Sequence, residues 1–253
     1  MKYIHGLFAN IWKMYIAIVF SIFAMLFYPF LYILIFNPKW KKTSFKFFIV
    51  WSWCMRIFCF YHVKKINHST IVPTGPYVIV SNHVSYLDIF LMYSILPKSP
   101  FVFLGKSEIL SYPIIRTYFK NLNIPVYRND KTKSGKAYSE SIKAVNNGWS
   151  LVIFPEGTIP ENDIPKMLPF KNGAFKLAKA LNIPVLPLTF ENNHRLFSDP
   201  TNIWGPARPG LSIVHIHEVI SLETIQQMNQ DELSQHCFEI ISKPLMEKHP
   251  ELY

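Results

Sequence analysis

No aspartate or glutamate occurs in the first 87 residues of this 253-residue chain; the first is Asp88. Nine lysines and arginines nevertheless fall within residues 1–65: Lys2, Lys13, Lys39, Lys41, Lys42, Lys46, Arg56, Lys64 and Lys65. That one-sided charge excludes an ordinary solvated surface for the N-terminal quarter, where both signs would be interspersed. Cysteine is scarce, and Cys54, Cys59 and Cys237 have no spacing that makes a disulfide framework or a zinc cage. With only nine glycines and no fixed period, collagen-like, low-complexity and solenoid architectures are excluded. Charged residues make up 17%, against roughly 25% in soluble globular chains. Half of the residues are hydrophobic, so disorder is excluded as well. What is left is one domain of ordinary size with an appendage that meets a membrane.

The position of the charge says more than its total. Residues 66–253 carry 17 basic and 16 acidic side chains, so the net charge of +10 belongs almost wholly to the N-terminal quarter. A nucleic-acid-binding surface sets its basic residues on a polar face. Here they punctuate apolar sequence, and no nucleic-acid partner is expected.

Residues 14–36 form an uncharged stretch that reaches about 34 Å as a helix, enough to cross a hydrocarbon core of about 30 Å. Pro29 interrupts it, so it reads either as one span or as two shorter helices entering and leaving one leaflet. The run 45–61 reads as an interfacial amphipathic helix, with Lys46 and Arg56 near one face and Trp51, Trp53 and Tyr61 at headgroup level. The apolar stretch is too long for a signal-peptide core and ends without a small-residue cleavage site, so it is expected to stay on the mature chain. Lys39, Lys41, Lys42 and Lys46 favour anionic lipid and a C-terminal domain on the cytoplasmic side, with its thiols reduced. The expected division is membrane-anchoring helices over 1–65 and a folded domain over 66–253.

From residue 77 the pattern changes. After the turn signal Pro73-Thr74-Gly75-Pro76, a short β-branched run over 77–82 reads as the first core strand. Further strands are expected over 101–104, 124–127, 150–154, 185–190 and 211–218. Helices are expected over 86–96, 107–121, 133–147, 173–181 and 230–243. Alternation of this kind predicts a single α/β domain with a mixed, largely parallel central sheet flanked by helices. In such sheets ligand sites lie at the carboxyl ends of strands.

Two polar turns follow strands. The first is Asn82-His83-Val84-Ser85-Tyr86-Leu87-Asp88. Five steps along a helix turn about 140° off the starting face, so His83 and Asp88 meet only if His83 sits in the turn and Ser85 caps a helix whose first turn carries Asp88. The carboxylate then accepts the Nδ1 hydrogen and leaves Nε2 as a general base suited to a hydroxyl. The plainer reading is a capping box with a turn histidine beside it. The second turn, Phe154-Pro155-Glu156-Gly157-Thr158, places an acid, a glycine and a hydroxyl at the end of another strand, and together the two suggest one cleft.

These residues resemble the first and third motifs of the glycerolipid acyltransferases, in particular the lysophosphatidate acyltransferases. Gly105-Lys106-Ser107-Glu108-Ile109 with Pro113, then Ile124-Pro125-Val126-Tyr127-Arg128, is similar to the second motif. The run 183–188 (IPVLPL) resembles the fourth, so the likeness covers roughly residues 77–190. It implies acyl transfer from a thioester, on coenzyme A or acyl carrier protein, to the free hydroxyl of a lysophospholipid, with no metal and no further cofactor. His83 is implied as general base and Asp88 as its orienting carboxylate. Asn82, Lys106, Arg128, Glu156, Gly157 and Thr158 are implied at the substrate. An arginine suits phosphate through its bidentate fork, whereas anionic Glu156 can hold the turn or hydrogen-bond a hydroxyl but cannot attract phosphate.

The sequence departs from the pattern at Ile159-Pro160, where many relatives continue with Arg-Ser, and at Arg116 and Asn123, where glycines are common. These departures leave open Lys166 or Lys171 as the phosphate partner, or a different acceptor such as a lyso-ornithine or lyso-glycine lipid. A non-catalytic lipid-binding membrane protein is the alternative from another class. A lipase-like hydrolase is disfavoured by the lack of a G-x-S-x-G elbow.

Overall fold

The computed structural model describes residues 2–67, 75–111, 113–127 and 130–253. Part of the turn at 73–76 and all of Arg128 lie outside them. Seven strands form one sheet: β1 (Tyr61–Asn67), β2 (Val78–Ser81), β3 (Phe101–Lys106), β4 (Ile124–Val126), β5 (Ser150–Ile153), β6 (Val185–Phe190) and β7 (Gly210–Ile216). Their spatial order is β1-β7-β6-β2-β5-β3-β4. All neighbours pair parallel except β6 with β7. The mixed, largely parallel sheet expected from the alternation is therefore present.

The central strand shows why the sheet is covered on both sides. β2 is buried along its whole length, as the run Val-Ile-Val predicts for a strand with helices on both faces. Ile79 joins a core shared with α1 (Lys2–Phe36), α2 (Lys41–Phe58), α3 (Leu87–Ile95) and α4 (Pro113–Leu122). Val78 and Val80 point the other way, into a core with α6 (Gly173–Leu181), α8 (Leu222–Gln227) and α9 (Gln230–Lys248). Two further α-helices, α5 (Lys131–Asn146) and the single turn α7 (Asn193–Leu196), complete the set among the described residues. The helix expected over 107–121 is divided, because Pro113 has no N–H to continue a turn and instead starts α4 after a 3₁₀ segment, Ser107–Ser111.

β1 was not anticipated. It is an edge strand with exposed Lys64 and Lys65, and the division drawn at 65 falls inside it. Pro29 does not break α1 into a hairpin; the helix runs on to Phe36. α1 and α2 pack antiparallel, with Tyr15 donating to the Phe58 carbonyl (2.8 Å) and Phe27 and Phe30 against Phe47. α2 also reverses part of its expectation: Trp51 and Tyr61 are buried in the core rather than at a headgroup level, and Trp53 stays outside under the Arg56 guanidinium (3.9 Å).

Candidate active site

Where β2 ends, Asn82 takes over the pairing that the backbone gives up. Its Nδ2 donates to the Phe190 carbonyl (2.9 Å) and its Oδ1 accepts from the Phe190 N–H (2.8 Å). The side chain is fully buried and ties the ends of β2 and β6 together. It thus stands behind the cleft rather than at the substrate position the resemblance implies.

His83 follows in the turn, its ring stacked on Phe154 with centroids 4.1 Å apart and planes at 16°. Its Nδ1 lies 3.0 Å from Asp88 Oδ2. A carboxylate only accepts, so Nδ1 carries the hydrogen and Nε2 is left to the cavity that His83 lines. Asp88 is fully buried. Besides His83, its Oδ2 accepts from the N–H groups of Val84 and Ser85 (both 2.9 Å), while Oδ1 accepts from Asn193 Nδ2 (2.8 Å). The peptide of 84–85 curls around the carboxylate, which is how residues five apart meet. Asp88 reaches back to the Ser85 N–H, but the Ser85 hydroxyl accepts from Leu87 N–H (3.0 Å) and the Asp88 N–H goes to the Ser85 carbonyl (3.1 Å), so only half of a capping box forms. The plain reading of the motif as a capping box is therefore corrected: Tyr86, not Ser85, stands at the N-cap of α3.

The second turn meets the first from below. Glu156 is buried, its Oε1 accepting from the His83 N–H and its Oε2 from the Leu168 N–H (2.8 Å each). Burial pushes its carboxyl up to about 7, against the pull of those two amides and with a smaller push from the Asp88 charge. Glu156 therefore holds the turn and is not among the side chains lining the cavity, whereas Gly157 and Thr158 are. Gly157 sits at φ +76°, a left-handed conformation that favours glycine.

A cavity of about 1670 Å³ opens from His83. Lys106, Gly157, Thr158 and Lys171 line it, together with aromatic side chains that include Phe20 of α1, Trp51 of α2 and Tyr118 and Phe119 of α4. Lys166 is exposed and outside this lining. His194 also lines it, and burial lowers that imidazole to about 4, so it is neutral at neutral pH. Among the described residues no cluster of three or more His, Cys, Asp or Glu could hold a metal ion. Asn193 was missed by sequence reasoning. The only available signal was its place just past the carboxyl end of a core strand.

A sequence model of the acyltransferase family matches residues 62–191, just over half of the chain and inclusive of both turns. The chain is 34% identical over 179 residues to the 1-acyl-sn-glycerol-3-phosphate acyltransferase of Saccharomyces cerevisiae, covering 66% of this chain and 57% of that protein. It is 28% identical over 211 residues to the putative 1-acyl-sn-glycerol-3-phosphate acyltransferase acl-2 of Caenorhabditis elegans, covering 81% of this chain and 72% of that protein. The chain thus spans little more than half of the yeast relative's length. Among solved structures, the 1-acyl-sn-glycerophosphate (LPA) acyltransferase PlsC of Thermotoga maritima superposes with a TM-score of 0.75 at 23% identity, over 98% of this chain and 97% of that one. That likeness is one of fold.

Proposed function

The chain belongs to the acyltransferase family, and from that premise we propose that it moves a fatty acyl group from an acyl thioester to the sn-2 hydroxyl of lysophosphatidate. The product is phosphatidate. The observation that carries the reading is the His83 Nδ1 contact with a fully buried Asp88, beside a mostly apolar cavity that His83 lines. In this reading Nε2 takes the proton of the acceptor hydroxyl as its oxygen attacks the thioester carbonyl. The C–O bond forms, the C–S bond breaks, and the imidazolium returns the proton to the departing thiolate of coenzyme A or acyl carrier protein. Asp88 holds the Nδ1–H tautomer and offsets the charge of the imidazolium. The step needs neither a covalent acyl-enzyme nor a metal.

Lys106 and Thr158 both line the cavity and suit the glycerol phosphate, with Arg128 assigned there by family resemblance alone. The aromatic wall suits an acyl chain. The α1–α2 pair supplies the membrane-embedded part: α1 is long and apolar enough to cross a bilayer by length and composition. Yet it is docked on the domain from Lys13, which donates to the Asn202 carbonyl, to Tyr28, whose ring meets Tyr118. That docking favours insertion along one leaflet, with the domain on the cytoplasmic side.

Acyl transfer by the purified protein in detergent tests the reading, with labelled acyl-CoA or acyl carrier protein offered against lysophosphatidate, lysophosphatidylcholine and lyso-ornithine lipid. Lysophosphatidate should be acylated, and His83→Ala should lower the rate by at least about 100-fold. Transfer to the amino-acid lysolipid alone would move the acceptor assignment and keep the chemistry. Full activity in His83→Ala would end the mechanism.

A further inference from the structure

We propose that Asn193 is a positioning residue for the acyl transfer, acting on His83 through Asp88; the inference rests on the general-base reading above. Asp88 divides its acceptors unevenly. Oδ2 takes three donors, from His83, Val84 and Ser85, whereas Oδ1 takes one, the Asn193 amide at 2.8 Å. Because the carboxylate can only accept, the amide must turn its nitrogen toward Oδ1, and the assignment is unambiguous. Asn193 is fully buried, 105 residues away in sequence, and its own Oδ1 has no hydrogen-bond partner. A buried amide that leaves its acceptor unsatisfied is a poor device for stability alone. What it supplies is a donor that fixes the rotation of the Asp88 carboxylate, and through it the plane of the imidazole.

The surroundings leave the amide no freedom to drift. Immediately before it, Asn192 bridges to β7 twice: Oδ1 accepts from Ile213 N–H (2.9 Å) and Nδ2 donates to the Leu211 carbonyl (2.8 Å). Glu191 pairs with His215 across the same strands (3.0 Å), and Phe190 is held by Asn82. The turn from β6 into α7 is thereby pinned to β2 on one side and β7 on the other. This antiparallel junction aims one donor at Oδ1.

A double-mutant cycle on the full chain, assayed in detergent with acyl-CoA and lysophosphatidate, tests this. Asn193→Leu keeps the branched shape and removes the donor, and kcat should fall about 10- to 100-fold, the range for losing a hydrogen bond to a buried charge. KM for both substrates should stay within about twofold, since the residue touches neither. Asp88→Asn should fall further, and adding Asn193→Leu to it should cost less than about twofold more, because the two act in series. Wild-type kcat in Asn193→Leu, losses that multiply in the double variant, or a rise in KM with kcat unchanged would each overturn the proposal. Thermal unfolding checks that each variant is folded; if Asn193→Leu is not, Asn193→Ala enters the same cycle. Should Asp88→Asn and His83→Ala both stay active, it is the general-base reading that fails; if they are inactive while Asn193→Leu is unaffected, only this inference does.

Discussion

The N-terminal helices and the turn cluster at the sheet treat polar groups in opposite ways. α1 turns Leu7, Ile11, Ile18, Ile22, Met25 and Ile33 outward, all more than half exposed. Three of its polar side chains turn to the domain or to α2: Asn10 donates to the Ile203 carbonyl (2.9 Å), Lys13 to that of Asn202 and Tyr15 to that of Phe58. In the sheet domain the two carboxylates that matter, Asp88 and Glu156, are buried, and each is surrounded by donors. A helix that is apolar on its docked face and leaves a second apolar face uncovered is what the proposed membrane-embedded part requires. A buried acid with all its oxygens satisfied identifies a structure built around that acid, because burial without partners is too costly to persist.

The sharpest way to break this contrast is to give α1 a soluble face. Ile18→Glu together with Ile22→Glu replaces two outward side chains one turn apart. Each apolar group of that size contributes about 1.5–3 kcal/mol when buried, and the added charges oppose insertion further. Binding to phospholipid vesicles in a flotation assay should weaken by at least about 100-fold. Unchanged flotation would mean that the outer face of α1 does not meet lipid.

A smaller effect separates the two buried carboxylates. Glu156 has its carboxyl raised by burial to about 7. A raised acid contributes stability that is fully present below its unfolded value, near 4.5, and is lost as pH rises through 7. Gln does not titrate, and because its amide nitrogen cannot accept from one of the two backbone N–H groups it carries a loss that does not depend on pH. The stability of wild type relative to Glu156→Gln should therefore fall by up to about 3 kcal/mol between pH 4.5 and 8. Thermal unfolding from pH 4.5 to 8 in a fixed detergent reads this as a gap of several degrees. Parallel curves, or a wild type that gains on the variant with rising pH, would remove Glu156 as a titrating group.

The contrast also explains which features were legible in the sequence. His83 and Asp88 were, because their partners lie within seven residues and the turn that joins them is local. The β-branched runs that become β2, β5 and β6 were legible for the same reason. β1 was not: His62, Lys64 and Lys65 give an exposed edge strand no apolar period to detect. Trp51 was placed outside because a lipid-facing and a core-facing aromatic look alike until the opposing helix is known. Asn82 and Glu156 were assigned to the substrate because a motif marks a residue as needed without saying whether it faces the ligand or the backbone behind it. The contact of Asn193 with Asp88 was beyond any local pattern, since β6 and α7 bring it in only after the sheet is assembled.

The least of the expected effects lies where the two regions touch. Lys13 is the one charged side chain between residues 3 and 38, and it is 8% exposed. Its Nζ donates to the carbonyls of Asn202 (2.6 Å) and Asp199 (3.4 Å), in a loop that also borders the cavity. A little further along, Gly6 lies so close to the Trp204 ring that a Cβ there would come within 2.7 Å. A charged donor buried against two carbonyls recovers part of its desolvation cost, so Lys13→Met should lower stability by only about 1 kcal/mol, or roughly 2–4 °C. Its local consequence should be larger than its global one. Hydrogen exchange at the amides of 199–205 should quicken while that of β2 and β6 is unchanged, since the loop loses its hold on α1 but the sheet loses nothing. Equal exchange in the loop would show that Gly6, Asn10 and the apolar stripe suffice to dock α1, and that the lysine is carried inward by its neighbours rather than holding them.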